Sequence, residues 1–238
     1  MLNAALEFIF PQTKCSICRR SGNYAPHRPW CAHCGHELAE LAARGPVCDI
    51  CGRYIAAPGL CADCHRERPE FGLARAVGPY EQAYRIAVKV YKFMGRRKLA
   101  WPMGKMMAEV ILAEPGFWPI DVLVAVPISK NSMDQRGFNQ TDLLARQISR
   151  HLKIPFVRDA ITRVREVSPQ RELSREEREQ NLKNAFEIRN AAQVAGKRIV
   201  LVDDVYTTGS TARECTRDLL DAGAERVSII TWATGRAD

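Results

Sequence analysis

The chain has 238 residues, of which 46% are hydrophobic and 26% charged, with 9 cysteines and a formal net charge of +8 at pH 7. That balance belongs to a globular protein of one large or two smaller domains and excludes disordered or fibrous classes. No apolar stretch approaches the roughly 20 residues of a membrane helix, so no membrane insertion is expected.

The first ten residues carry Glu7 within a short apolar run and have no basic leader or small-residue cleavage site. No signal peptide is expected there, which makes the cytoplasm the expected compartment. Eight cysteines then follow in C-x₂-C pairs: Cys15/Cys18, Cys31/Cys34, Cys48/Cys51 and Cys61/Cys64. Disulfide scaffolds rarely repeat one spacing in this way, whereas two such pairs supply the four thiolates of a closed tetrahedral Zn²⁺ site. Two structural Zn²⁺ ions are therefore expected in a double zinc ribbon spanning residues 1–70. Sequential pairing (Cys15, Cys18, Cys31 and Cys34, then Cys48, Cys51, Cys61 and Cys64) is favoured, with interleaved pairing the alternative. Gly35 and Gly52 follow second cysteines directly, where a knuckle turn calls for a positive φ. His33, His36 and His65 are expected in solvent. A ribbon of this size has almost no core of its own, so the metal supplies its folding energy. Its purpose is either a structural clip or a docking module for nucleic acid or protein.

Residues 1–70 carry +1 and residues 71–238 carry +7. Filling two Cys₄ sites as thiolates would lower the whole chain to about +4, so the headline charge overstates its basicity. Between residues 85 and 105 there are seven cations and no acid. Arg85, Lys89, Lys92 and Arg96 fall on one helical stripe, with apolar residues on the remaining faces. The stripe reads as a solvated face, as a polyphosphate contact through Lys92 and Arg96, or as a track for single-stranded DNA with Tyr84, Tyr91 or Phe93 as stacking platforms.

Asp121–Pro127 contains an aliphatic run suited to a strand buried on both faces, and it ends in Ile128, Ser129 and Lys130. Arg136-Gly-Phe-Asn-Gln140 follows, then a predicted helix over Thr141–His151 with Leu143, Leu144 and Ile148 on one face. The polar stretch from Arg163 through Gln170, Leu173, Arg178 and Asn181 reads as a solvated helix or a mobile lid.

Ile199–Val202 is a second buried-strand run, followed by Asp203 and Asp204. The small, hydroxylated segment Tyr206, Thr207, Thr208, Gly209, Ser210 and Thr211 then leads into a helix over Ala212–Ala222, which Gly223 stops. In open α/β sheets this strand edge is where ligands bind. Small residues let main-chain N–H groups close around a phosphate, and the helix N-terminus adds partial positive charge. Two acids beside an anion site suit ribose hydroxyls or the water shell of Mg²⁺. Cys215 is expected as buried apolar filling. Arg226–Trp232 reads as the next strand. Strands alternating with helices mean a mostly parallel sheet with helices on both faces, an α/β fold over residues 71–238.

The segment Ile199–Thr211 resembles the phosphoribosyl pyrophosphate (PRPP) loop of type I phosphoribosyltransferases, although Tyr206 replaces the usual aliphatic residue. Four cysteine knuckles, Tyr91–Arg96, Arg136–Gln140, the Gln170 to Phe186 segment and the paired acids together resemble the ComF family. That resemblance implies a double zinc ribbon joined to a phosphoribosyltransferase-like domain, with a link to natural competence and DNA uptake. It implies PRPP with Mg²⁺ as ligand and an acceptor that the sequence does not name. Asp203, Asp204, Lys130 and Arg136 would be the catalytic groups. Tyr206–Thr211, Ser129 and Lys92 would bind PRPP. Single-stranded DNA and the competence helicase machinery are the further partners it suggests. The alternative is a non-catalytic DNA-handling protein that keeps the PRPP site as a sensor or relic.

Overall fold

Aliphatic runs of four or more residues gain most when both of their faces are covered, and the central strands are built that way. The computed structural model describes residues 12–25, 27–165, 182 and 184–237. Strands β1 (Gln12–Lys14) and β2 (Ser21–Tyr24) form a short antiparallel pair. Helices α1 (Ala32–Ala42) and α2 (Ala62–Arg66) each begin directly after a cysteine. The chain continues through β3 (Leu73–Pro79), α3 (Gln82–Phe93), α4 (Ala100–Ala113), β4 (Val122–Ala125), α5 (Lys130–Arg136), α6 (Gln140–Leu152) and β5 (Phe156–Val157). It then forms β6 (Ile161–Arg163), β7 (Phe186–Ile188), β8 (Arg198–Tyr206), α7 (Ser210–Asp221) and β9 (Arg226–Thr234).

The main sheet has five strands in the order β3-β9-β8-β4-β5, every neighbouring pair parallel, and β6 and β7 form a separate antiparallel pair. Side chains alternate between its two faces as the two-residue strand period requires. Leu123, Val200, Val202, Ile230 and Trp232 face one layer, which α1, α3, α4 and α6 cover. Val122, Val124, Ile199, Leu201 and Ile229 face the other, covered by α7, the β6–β7 pair and the second cysteine group. Helices thus lie on both faces, and Cys215 of α7 is fully buried. Among the described residues, no helix is long and apolar enough to cross a membrane.

The cysteine-rich segment is better packed than its small size suggests. Leu38 and Leu41 of α1 are buried in the same cluster as Tyr84 and Trp232, and the Tyr84 hydroxyl donates to the Leu38 carbonyl at 3.1 Å. This segment straddles β3, the edge strand. The first cysteine group joins the core on one face of the sheet and the second joins it on the other. The Ala74 N–H of β3 donates to Ile50 at 2.7 Å, and Arg75 reaches both Glu114 and the Asp49 carbonyl. The segment has little core of its own but shares that of the α/β part: the apolar face of α1 buries against α3 and β3.

Gly52 takes the expected positive φ of 68°, and a Cβ there would collide with the Ala74 carbonyl. Gly35 does not. It lies inside α1, and its N–H donates to the Cys31 carbonyl at 2.9 Å, because the second knuckle of each pair is the first turn of a helix. The basic stripe is also shorter than expected. Gly95 takes φ 62° and α3 ends at Phe93, so Arg96 falls off the helix that carries Arg85, Lys89 and Lys92. Tyr84 and Tyr91 are fully buried and cannot stack on bases; of the three rings only Phe93, 69% exposed, faces solvent.

Candidate functional site

The eight paired cysteines gather as two groups, Cys15/Cys18/Cys31/Cys34 and Cys48/Cys51/Cys61/Cys64, with the sulfurs of each group within 4.8 Å of one another. The pairing is sequential. The Cys18–Cys31 and Cys51–Cys61 sulfur separations are 3.7 and 3.6 Å. A tetrahedron with Zn–S bonds of about 2.3 Å has edges of about 3.8 Å, so the donor sets fit structural zinc. Main-chain N–H groups of Ile17 and Cys31 point at the Cys15 sulfur at 3.4 and 3.3 Å, and the Cys61 N–H points at Cys48 at 3.4 Å. Such donors favour thiolate. Arg53 adds a charged donor to the Cys61 sulfur at 3.3 Å while also pairing with Asp63. His33, His36 and His65 are exposed and belong to neither group.

The second site forms where β8 meets α7. The strand runs on through both acids to Tyr206, further than the aliphatic run alone predicts. Asp203 and Tyr206–Thr211 line one cavity at the C-terminal edge of the sheet. Gly209, at φ 81°, is the N-cap of α7 and brings no side-chain cap, and the first turn of α7 holds no acid. The Ser210 N–H meets the Thr208 hydroxyl at 3.5 Å, the N-cap itself supplies no oxygen, and the helix start carries partial positive charge. Thr208 and Ser210 hydroxyls meet at 2.9 Å across the turn. Burial, and next the charge of Asp204, push the Asp203 carboxyl up to about 7, and Lys92 opposes the shift.

The two acids part company. Asp203 faces the cavity and accepts the Asp204 N–H at 2.7 Å. Asp204, 4% exposed, is held from the other side: Lys92 of α3 donates to Oδ1 at 2.6 Å and Gln140 of α6 donates to Oδ2 at 2.9 Å. Gln140 in turn accepts from Arg136 at 2.8 Å, and the Arg136 guanidinium lies 5.3 Å over the Phe93 ring.

The local sequence explains how Arg136-Gly-Phe-Asn-Gln140 builds this corner. Gly137 ends α5 at φ 68°, and Phe138 buries beside Tyr91. Asn139 caps α6 by accepting from the Thr141 N–H at 3.1 Å, and the Thr141 hydroxyl ties the turn to Val126 at 2.6 Å. At Ile128–Lys130, where the β4 run ends, a helix starts, because the Ser129 hydroxyl accepts from the Ser132 N–H at 3.1 Å and caps α5. Ser129, Lys130, Arg136 and Lys92 do not line the cavity. Gln170, Leu173, Arg178 and Asn181 lie outside the described residues.

Gln140 was not singled out as a site residue from sequence. Its signal was available, since Gln140, Leu144 and Ile148 share one helix face and a lone amide on an apolar face calls for partners.

A family model described as phosphoribosyl transferase domain matches residues 143–238, and one described as double zinc ribbon domain matches residues 5–65. Competence protein F of Haemophilus influenzae is 30% identical over 213 residues, 88% of this chain and 85% of that protein. The DNA utilization protein YhgH of Salmonella typhimurium is 33% identical over 219 residues, covering 90% and 94%. Among solved structures, a glutamine PRPP amidotransferase from B. subtilis matches 60% of this chain at 24% identity and a TM-score of 0.41; the match spans 30% of that protein's length.

Proposed function

This chain belongs to the ComF family, with competence protein F and YhgH as members, and from that membership we propose that it binds PRPP with Mg²⁺ at the β8–α7 turn. In this reading residues 1–70 are the zinc-holding part and residues 71–238 the ligand-binding part. The observation that carries the reading is the N-terminus of α7, whose N-cap Gly209 brings no side chain, opening onto a cavity that it shares with Asp203.

In this reading Thr207–Thr211 and the first N–H groups of α7 hold the 5-phosphate. Asp203, which lines the cavity, accepts hydrogen bonds from the ribose hydroxyls, and Asp204, held behind it by Lys92 and Gln140, fixes the end of the strand that carries it. Ser129, Lys130, Arg136 and Lys92 provide donors for the diphosphate. Mg²⁺, arriving with PRPP, neutralises diphosphate charge. In a transfer, the C1′–O bond to diphosphate breaks and a bond from C1′ to the acceptor nucleophile forms. Cations that hold the departing diphosphate and walls that exclude water lower that barrier. Among the described residues no side chain stands out as a base for the acceptor, so binding of the phosphoribosyl group is proposed ahead of turnover. Thermal unfolding with PRPP and Mg²⁺ tests the site: a rise in wild type and a smaller one in Asp204→Asn are expected, and equal or absent shifts overturn it.

A second reading, single-stranded DNA handling with the PRPP site as sensor or relic, is favoured by the exposed Arg85, Lys89 and Phe93 on α3. The relatives' names, a competence protein and a DNA utilization protein, point the same way. Phosphate contacts of this kind weaken steeply with salt. Binding of a fluorescent single strand that falls with salt and is lost in Arg85→Glu/Lys89→Glu supports it; no binding at low salt removes it.

A further inference from the structure

Gln140 sits between a cation and an anion, and the two dictate its orientation. An ionised carboxylate only accepts and a guanidinium only donates. The amide must therefore turn Nε2 to Asp204 (2.9 Å) and Oε1 to Arg136 (2.8 Å). Its main-chain carbonyl is committed as well, accepting from the Tyr91 hydroxyl at 2.7 Å, and the residue is 4% exposed. A glutamate here would keep Arg136 but set a carboxylate against Asp204. A lysine would keep Asp204 but accept nothing from Arg136, and an aliphatic side chain would serve neither. The circuit closes through α3, where Lys92 holds the other Asp204 oxygen and its neighbour Phe93 carries the Arg136 guanidinium. Arg136 Nε is buried without a partner among the described residues, so Gln140 and the Phe93 ring are what fix that side chain.

We propose that Gln140 is a positioning residue that ties Arg136 to the buried Asp204 behind the cavity, so that Arg136 is set to meet the diphosphate end of a phosphoribosyl ligand whose 5-phosphate the α7 turn holds. The proposal rests on the PRPP reading above. It deepens that reading by separating two parts of the site: the α7 turn, which holds a lone phosphate, and the Arg136–Gln140–Asp204 bridge, which acts only on a ligand carrying both ends.

Calorimetric titration of PRPP with Mg²⁺, and separately of inorganic phosphate, into wild type and Gln140→Met provides the test. Loss of two charge-assisted hydrogen bonds should weaken PRPP about tenfold or more. Phosphate affinity should stay within about twofold, because the α7 turn is untouched; a merely structural fault would weaken both ligands. Gln140→Glu, which keeps the shape and the Arg136 contact, should lose PRPP affinity in the same way, and it serves if the methionine variant folds poorly. Unchanged PRPP affinity in these variants, or a parallel loss of phosphate binding, overturns the role of Gln140 and leaves the PRPP site standing. Failure of wild type to bind PRPP overturns both.

Discussion

The Tyr206 ring lies directly beneath Gly209, so close that a Cβ on the glycine would overlap the phenol oxygen. Gly209 also holds φ 81°, a conformation that penalises every side chain, and Tyr206 is itself braced edge-on by Phe71 with ring centroids 6.3 Å apart. The replacement of an aliphatic residue by Tyr206 thus supplies a floor for the turn. Gly209→Ala is expected to cost about 1–3 kcal/mol in chemical denaturation and to abolish PRPP-dependent stabilisation. Tyr206→Phe, which keeps the ring, should leave both within a small margin of wild type.

Lys92 and Asp204 form a buried pair, with side chains 17% and 5% exposed. Removing one partner leaves the other charge in a place largely closed to water. Lys92→Met is expected to destabilise by about 3–5 kcal/mol, and adding Asp204→Asn should recover part of that loss. A double-mutant cycle by urea denaturation checks the coupling; additive effects would show that the pair is solvated.

Asp203 makes stability depend on pH. Its carboxyl is raised from the ordinary 3.8 to about 7, so between those values the folded chain binds more protons than the unfolded chain. Stability therefore falls as pH rises through that window and stays lower above it. Asp203→Asn removes the titration and should unfold roughly 2–4 °C above wild type at pH 8, with a smaller gap at pH 5. An equal gap at both pH values would show that burial does not set this carboxyl's behaviour.

The two cysteine groups differ in access. Cys18 is exposed and Cys31 half-buried, whereas all four sulfur residues of the second group are buried and Arg53 guards Cys61. Metal analysis should give about two zinc per chain. Release to a chelator, followed with a chromogenic zinc indicator, should be biphasic, with the first group emptying first. Cys18→Ser should remove the fast phase alone, and a single phase in wild type would contradict the asymmetry.

The sheet and the α7 turn were legible because continuous aliphatic runs, paired acids and small hydroxylated residues are local signals. Spacing favoured the sequential cysteine grouping but left the interleaved one open until the sulfur positions decided between them. Other features depended on tertiary partners. That Asp203 and Asp204 separate reflects strand alternation combined with α3 and α6 packing, and adjacency in sequence hid it. Arg96 leaves the stripe because Gly95 takes a left-handed conformation, which periodicity alone cannot register. Ser129 reads equally well as a loop residue or as a cap until Ser132 is seen to donate to it.

The hold that Ile50, Gly52 and the two cysteine groups keep on β3 has a consequence for dividing the protein. An uncovered β3 would offer a row of unpaired main-chain groups at the end of a long parallel sheet, a template for a second molecule to add a strand. A chain cut after residue 70, or stripped of both metal ions, should therefore fail by self-association and precipitation before it fails by losing its α/β fold. The zinc-bearing segment is, in that sense, the part that keeps each sheet from joining its neighbour's.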